Sequence, residues 1–406
     1  MSKIFTSTRY AGANASEGLG ALLAGAMPAT RLLVVADDAT WAAARAWVEP
    51  QLSPSTNYHL HSLGQRVRAS KIIADELAAR ASAYDAILAV GSGTINDLCK
   101  YAAFALNKPY AVVATAASMN GYSSANASLE IDGFKQSVAT RPPLAVIADS
   151  GILTAAPKRL TRAGIGDTLC RTTVEADMLL SHLLLDTPYP REMFDRLRGH
   201  EETLLTGLMK ARDSEAAYIE CLMTALLDAG DAMTTHGSSA VASQGEHMLA
   251  HTLELKYGSE LLNIMHGELI AITALTMSQF QHRMLLGSSV VRRLDYPSEQ
   301  FLRQFGKRHE QSLFEAYGKK LLSDEQVVAV NARMEKHWPD MVSQLNSIMI
   351  ATNTLERALI HSGINTTPAQ IGLADERYRF ATSYAHLTRE RFTFLDLAAM
   401  NVRRMK

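Results

Sequence analysis

Two regimes of hydrophobic patterning run along the chain. Up to about residue 150, short runs of uniformly apolar, β-rich character recur: RLLVVADD (31–38), DAILAVGSGT (85–94), YAVVATAAS (110–118) and LAVIAD (144–149). A strand that is apolar at every position, without alternation, is covered on both faces, which is the situation of a parallel sheet. The stretches between them, ATWAAARAWVEPQL and SKIIADELAARASAY, carry helical spacing and supply the covering layer. From TAAPKRLTRAGIG onward, Leu, Ala, Met, Glu and Arg dominate, and apolar residues return at helical intervals through LLTGLMKARDSEAAYIECLMTALLDA and VVAVNARMEKHWPDMVSQLNSIM. The pattern predicts an open, mainly parallel, Rossmann-like α/β domain over 1–153. An all-helical domain over 154–406 follows, with Pro142, Pro143 and Pro157 as stiff punctuation near the junction and the active site expected in the cleft between the domains.

Composition narrows the function. The chain has 406 residues, 47% hydrophobic and 20% charged, enough for two cores. Forty basic residues against forty-one acidic ones leave a net charge of -1, so neither nucleic acid nor an anionic membrane is expected as partner. A small-molecule partner fits better. The opening MSKIFTSTRYAGANAS lacks a basic region followed by an apolar core, and the apolar runs elsewhere stop well short of the roughly 20 residues that span a bilayer. A cytoplasmic protein without membrane insertion is therefore expected. Cys99, Cys170 and Cys221 are scattered, with no C-x-x-C pair, which suits a reducing compartment and offers no cysteine-based metal site.

AILAVGSGTINDLCK sets Gly91 and Gly93 after a predicted strand and before a predicted helix. Glycines there let the backbone approach a pyrophosphate, whose charge the free N–H groups of the helix start attract. The third glycine of G-x-G-x-x-G is replaced by Asn96, so a purely steric turn remains the competing reading. Asp37 and Asp38 end an earlier strand, where a carboxylate can hold an adenosine ribose or simply cap the next helix. Thr115 and Ser118 end the strand after the glycine turn.

QGEHMLAHTLELKYGSELLNIMHGE places His247, His251 and His266 within 25 residues. His247 and His251, at i and i+4, share a helix face, and His266 opens a further helical stretch. No glutamate stands between the pair as in H-E-x-x-H, which removes the zinc-protease reading. The best carboxylate to join them is Asp167 in RAGIGDTLCR, where Gly164 and Gly166 let its backbone come close. Two neutral imidazoles and a carboxylate suit a divalent ion with one position open to substrate oxygen, and the third histidine is left for proton transfer.

Taken in order, GSGTINDLCK, TAASMNGYSSANA, AGIGDTLCR, GEHMLAH, MHGE, INTTPAQIGL and RERFTFLDLA resemble the glycerol-1-phosphate dehydrogenases. That family is a branch of the superfamily of iron-containing alcohol dehydrogenases, glycerol dehydrogenase and dehydroquinate synthase. The resemblance implies a dehydroquinate synthase-like fold, an NAD(H) or NADP(H) cofactor and one divalent ion, zinc, nickel or iron. It implies that Gly91, Ser92, Gly93, Thr94 and Ile95 cradle the cofactor pyrophosphate, with Thr115 to Ser118 and Ser124 as further cofactor contacts. Asp167, His247 and His266 match the metal ligands, and His251 matches the histidine that touches substrate and relays protons. Asn120 stands where much of the family has a substrate-contacting aspartate; it keeps the hydrogen-bonding shape and loses the charge. A homodimer or higher oligomer is implied at family level.

The activity implied is interconversion of dihydroxyacetone phosphate and sn-glycerol 1-phosphate, with a phosphorylated polyol or ketone as the small-molecule partner. Lys135, Arg141 and Arg171 are the cations available for the phosphate. The alternatives are a dehydrogenase of another polyol or alcohol, which Asn120 keeps open, and a dehydroquinate-synthase-like lyase.

Overall fold

A computed structural model describes residues 7–402 apart from 53–56, 132–133, 211–214, 262 and 288–289. The predicted strands appear as β2 (Arg31–Ala36), β4 (Ala86–Gly91), β5 (Tyr110–Ala114) and β8 (Ala145–Asp149), joined by β1 (Thr8–Gly12) and β3 (Asn57–Ser62). All six pair in parallel in the order β1-β8-β5-β4-β2-β3. The two added strands take the sheet edges. β3, NYHLHS, is half polar and largely exposed, and an edge strand has no second neighbour to demand an apolar run. An antiparallel pair, β6 (Asn126–Ile131) with β7 (Phe134–Ala139), stands apart from the sheet.

The central strands are fully buried, and one sheet face packs Leu32, Val34, Leu88, Val90, Val113 and Ile147 against helical residues such as Leu22, Ala44 and Val48. At about 1.5–3 kcal/mol for each such side chain, this core supplies the main driving force for the sheet unit. The order of the inner strands reverses between β2 and β4. Such a switch point opens a crevice at the carboxyl ends of the strands, the usual ligand position in open α/β sheets.

Contacts divide the chain into one unit of Met1–Thr168 with Gly199–Ser238 and a second of Leu169–Arg198 with Ser239–Lys406. The first unit thus runs on beyond residue 153 and takes in a helix from the predominantly helical sequence. Helix Glu215–His236 is held to it by Arg9, which pairs with Asp228 and Asp231, and by the Ser123 hydroxyl donating to the Leu227 carbonyl at 2.8 Å. The second unit is built from helices including Arg171–Leu185, Gly245–Tyr257, His266–Leu285 and Asp324–Ile348. Among the described residues, no helix is long and apolar enough to cross a membrane.

Candidate functional site

At the switch point, β4 ends in the glycine turn. A Cβ on Gly91 would lie 2.6 Å from the Ile95 Cβ, so the strand can turn into helix Gly93–Ala105 only with glycine here. Ser92 stands at the N-cap without a side-chain cap, leaving the backbone donors of Gly93, Thr94 and Ile95 at the first turn for an anion. Thr115 is anchored beside this turn by its N–H, which donates to the Gly91 carbonyl at 3.2 Å. Asp37 ends β2 next door, yet it forms a capping box: its Oδ1 accepts from the Thr40 N–H at 2.7 Å, and its own N–H donates to Thr40 Oγ1 at 3.0 Å. Asp38 Oδ1 accepts from the Ser62 hydroxyl at 2.6 Å. Both carboxylates thus have local work that the sequence could not separate from ribose binding.

The loop after β5 is organised from below by a residue the sequence reading passed over. Lys100 is completely buried, and its ammonium donates to the carbonyls of Gly121 (2.6 Å), Ser124 (2.9 Å) and Asn126 (3.1 Å). Burial lowers its pKa to about 8, against the pull of Asp97. Ser124 belongs to this cradle, its hydroxyl lying 3.1 Å from both the Gly121 and Asn126 carbonyls. Ser118 bonds the Tyr122 hydroxyl, which also donates to the Ala116 carbonyl at 2.7 Å. The loop is thereby stiff where it carries Asn120, whose backbone N–H donates to Asp167 Oδ2 at 2.9 Å. Helix Lys158–Leu169 can bring Asp167 this close because Gly164 has no side chain; a Cβ there would sit 2.0 Å from the Ala117 carbonyl oxygen.

The phosphate candidates scatter. Arg141 lies over the Phe104 ring at 5.7 Å, in a cavity of about 340 Å³ lined also by Tyr110 and Leu144, at the amino ends of β5 and β8 and so away from the glycine turn. Lys135 sits on β7, and its charge acts on buried Asp97. Arg171, one of the cations available for the phosphate, is buried; it pairs with Glu175 at 3.0 Å and lies over Phe194.

In the helical unit the three histidines converge. The ring centroids of His247 and His251 lie 6.0 Å apart, those of His247 and His266 5.3 Å, and those of His251 and His266 5.9 Å. Each ring is held by a carboxylate at Nδ1. His247 faces Glu246 at 2.8 Å, while His251 and His266 share Glu254, at 2.9 Å to Oε2 and 3.2 Å to Oε1. A carboxylate only accepts, so each Nδ1 carries the hydrogen and each Nε2 keeps its lone pair, the form a metal or a substrate hydroxyl needs. Glu246 is itself immobilised, accepting from the Gln244 N–H at 2.8 Å and the Thr173 hydroxyl at 3.0 Å. The helix start is fixed by Asp177, which accepts from the Gly245 and Phe394 N–H groups at 3.0 and 2.9 Å and which burial raises to a pKa of about 8.

The sequence left His251 for proton transfer, and burial, reinforced by Arg389, pushes its imidazole down to about 3. It is therefore a neutral imidazole at physiological pH. The orienting roles of Glu246 and Glu254 were not legible in the sequence, although Glu254 stands three residues from His251 on one helix face, a spacing that marks neighbours. Within the helical unit, Cys170, Glu246 and His247 also place one ligand atom each within 4.8 Å of one another.

Comparison with known proteins starts from the α/β part: residues 10–157 match the iron-containing alcohol dehydrogenase family. A glycerol-1-phosphate dehydrogenase [NAD(P)+] of Halalkalibacterium halodurans is 30% identical over 77% of this chain and 70% of its own length. The chain belongs to the glycerol-1-phosphate dehydrogenase family. A protein of the same name from Geobacillus stearothermophilus is 31% identical over 60% of this chain, which spans 62% of that relative's length. Maleylacetate reductase from Rhizobium sp. strain MTP-10005 superposes with a TM-score of 0.61, covering 94% of this chain and 89% of that one at 17% identity. That likeness shows the shared fold, a parallel sheet unit followed by helices.

Proposed function

We propose that this member of the family is an NAD(P)-linked, metal-dependent dehydrogenase that interconverts dihydroxyacetone phosphate and sn-glycerol 1-phosphate. The observation that carries the reading is the set of three imidazoles, each oriented by a carboxylate at Nδ1 so that Nε2 keeps a free lone pair. The donor chemistry fits a divalent ion: Asp167, His247 and His266 would supply one carboxylate and two neutral imidazoles, a set that suits zinc, nickel or iron. When bound, such an ion supplies Lewis-acid polarisation of the substrate oxygen.

The chain's own residues do the rest. The uncapped donors at Gly93–Ile95 receive the cofactor pyrophosphate, Thr115 and Ser118 line the neighbouring strand end, and Asp37 offers its second carboxylate oxygen to the ribose. His251, neutral and donating Nδ1–H to Glu254, presents its Nε2 lone pair to the substrate hydroxyl and orients it by accepting its hydrogen bond. Asn120, tied to Asp167 through its backbone, directs a side-chain amide toward substrate oxygen where an aspartate would add a second negative charge. The reading supports a cytoplasmic enzyme, and three cysteines outside any disulfide agree with it.

The test is the initial rate of NADH oxidation with dihydroxyacetone phosphate on protein stripped of metal and reconstituted with zinc, nickel or iron. Metal-dependent turnover is expected. Tight NADH binding without turnover under any metal would overturn the assignment, and a panel of free and phosphorylated ketones would then identify the substrate that Asn120 accepts.

A further inference from the structure

The stretch Ala385–Phe394 is tied along the helix that carries His247 and His251. Its 3-10 turn Ala385–Leu387 packs against helix Gly245–Tyr257, and Leu387 joins a core with Phe305, Tyr317 and Leu255. At its other end, Phe394 N–H donates to Asp177, the carboxylate that also holds Gly245. In between, the Arg391 guanidinium reaches the Ser243 carbonyl and the Ser239 hydroxyl just ahead of the same helix, while the Arg391 carbonyl accepts from Lys320 at 3.1 Å. Six residues of backbone therefore have little freedom around Arg389.

Arg389 itself is half-buried and, among the described residues, makes no hydrogen bond or ion pair. Its charge acts on His251, Glu254 and Glu390. Glu254, the acid nearest in role, already accepts from both His251 and His266. A fixed, partly desolvated guanidinium with five donors, near Glu254 and Glu390 but hydrogen-bonded to neither, leaves donors unsatisfied in the ligand-free chain. A phosphate is the ligand chemistry that fits it, because two of its oxygens match the planar fork. Arg141 and Arg171 lack this combination, one facing the opposite end of the sheet and the other buried against Glu175.

We propose that Arg389 binds the phosphate of the substrate beside His251. This rests on the dehydrogenase reading above and adds to it the residue that distinguishes phosphorylated from free substrate. The reacting carbon then falls within reach of His251.

The experiment compares wild type with Arg389→Met and Arg389→Lys, each loaded with metal, on dihydroxyacetone phosphate and on free dihydroxyacetone. Inorganic phosphate binding by calorimetry is the second readout. Arg389→Met should raise KM for the phosphorylated ketone by roughly 10–100-fold, as the loss of a charge-assisted bidentate contact implies, and should abolish phosphate binding. Arg389→Lys should recover part of both. Melting temperature and metal content confirm that each variant is folded and loaded. Equal losses on both ketones, or phosphate binding that survives Arg389→Met, would overturn the proposal. If wild type turns over neither ketone, the dehydrogenase reading fails instead, and phosphate binding by wild type against Arg389→Met still decides the role of Arg389.

Discussion

Gly164→Ala tests whether close backbone approach positions Asp167. The added methyl would meet the Ala117 carbonyl oxygen at 2.0 Å, its carbon at 2.8 Å and the Ser118 Cα at 3.2 Å. Both walls are backbone, so no rotamer relieves the clash, and helix Lys158–Leu169 must retreat by roughly 1–1.5 Å to restore ordinary carbon contacts. Overpacking of this kind costs about 1–3 kcal/mol. Asp167 rides on the same helix, and a retreat of that size breaks its 2.9 Å bond from the Asn120 N–H, worth a further ~1.5–3 kcal/mol for a charged acceptor. Alanine's better helix propensity returns about 1 kcal/mol. The net loss is about 1.5–5 kcal/mol, or roughly 3–20 °C in melting temperature for a unit of this size. Differential scanning calorimetry, with metal and NADH affinity measured alongside, reads the effect. Gly199→Ala is the control: that helix position is exposed with nothing within 4 Å of an added Cβ, and it should stabilise slightly. If Gly164→Ala melts within about 2 °C of wild type and binds metal equally well, the close-approach argument is wrong.

Two further outcomes are expected. Glu254→Gln should weaken metal affinity by about 10–100-fold, because a carboxylate that orients a ligand histidine is commonly worth that much; competition with a chromogenic chelator measures it, and an unchanged dissociation constant would show that Glu254 does not orient His266. His200 is raised to a pKa of about 9, first by its 2.6 Å bond to Asp228 and then by Cys221. Its contribution is complete below the unfolded value of about 6.5 and fades as pH rises through about 9. Since the pair is partly exposed, wild type should lose only about 1 kcal/mol of unfolding free energy across that window relative to His200→Gln; parallel pH profiles for the two proteins would refute it.

Asp177 and Glu246 show why half of the histidine site escaped the sequence. His247 and His251 share a face by helical spacing alone, and any reader of the sequence can place them together. That Glu246 turns toward His247 rather than solvent depends on Thr173, a residue from another helix more than seventy positions away. Likewise the pinning of Gly245 relies on Asp177 and Phe394, which no local pattern connects.

The inner strands, the glycine turn and the histidine spacing were determined by the sequence, because each follows from short-range rules: apolar runs that must be covered, a Cβ that cannot fit at Gly91, a repeat of 3.6 residues per turn. Edge strands β1 and β3 were not, since an exposed edge imposes no apolar pattern. The assignment of helix Glu215–His236 to the sheet unit was equally invisible, because it rests on Arg9 meeting Asp228 and Asp231 across more than two hundred residues. Only the tertiary structure decided that Glu254 holds two imidazoles, that Arg171 is buried and that Arg389 is not paired. Those are outcomes of packing, in which long-range neighbours determine which charges are matched and which are left for a ligand.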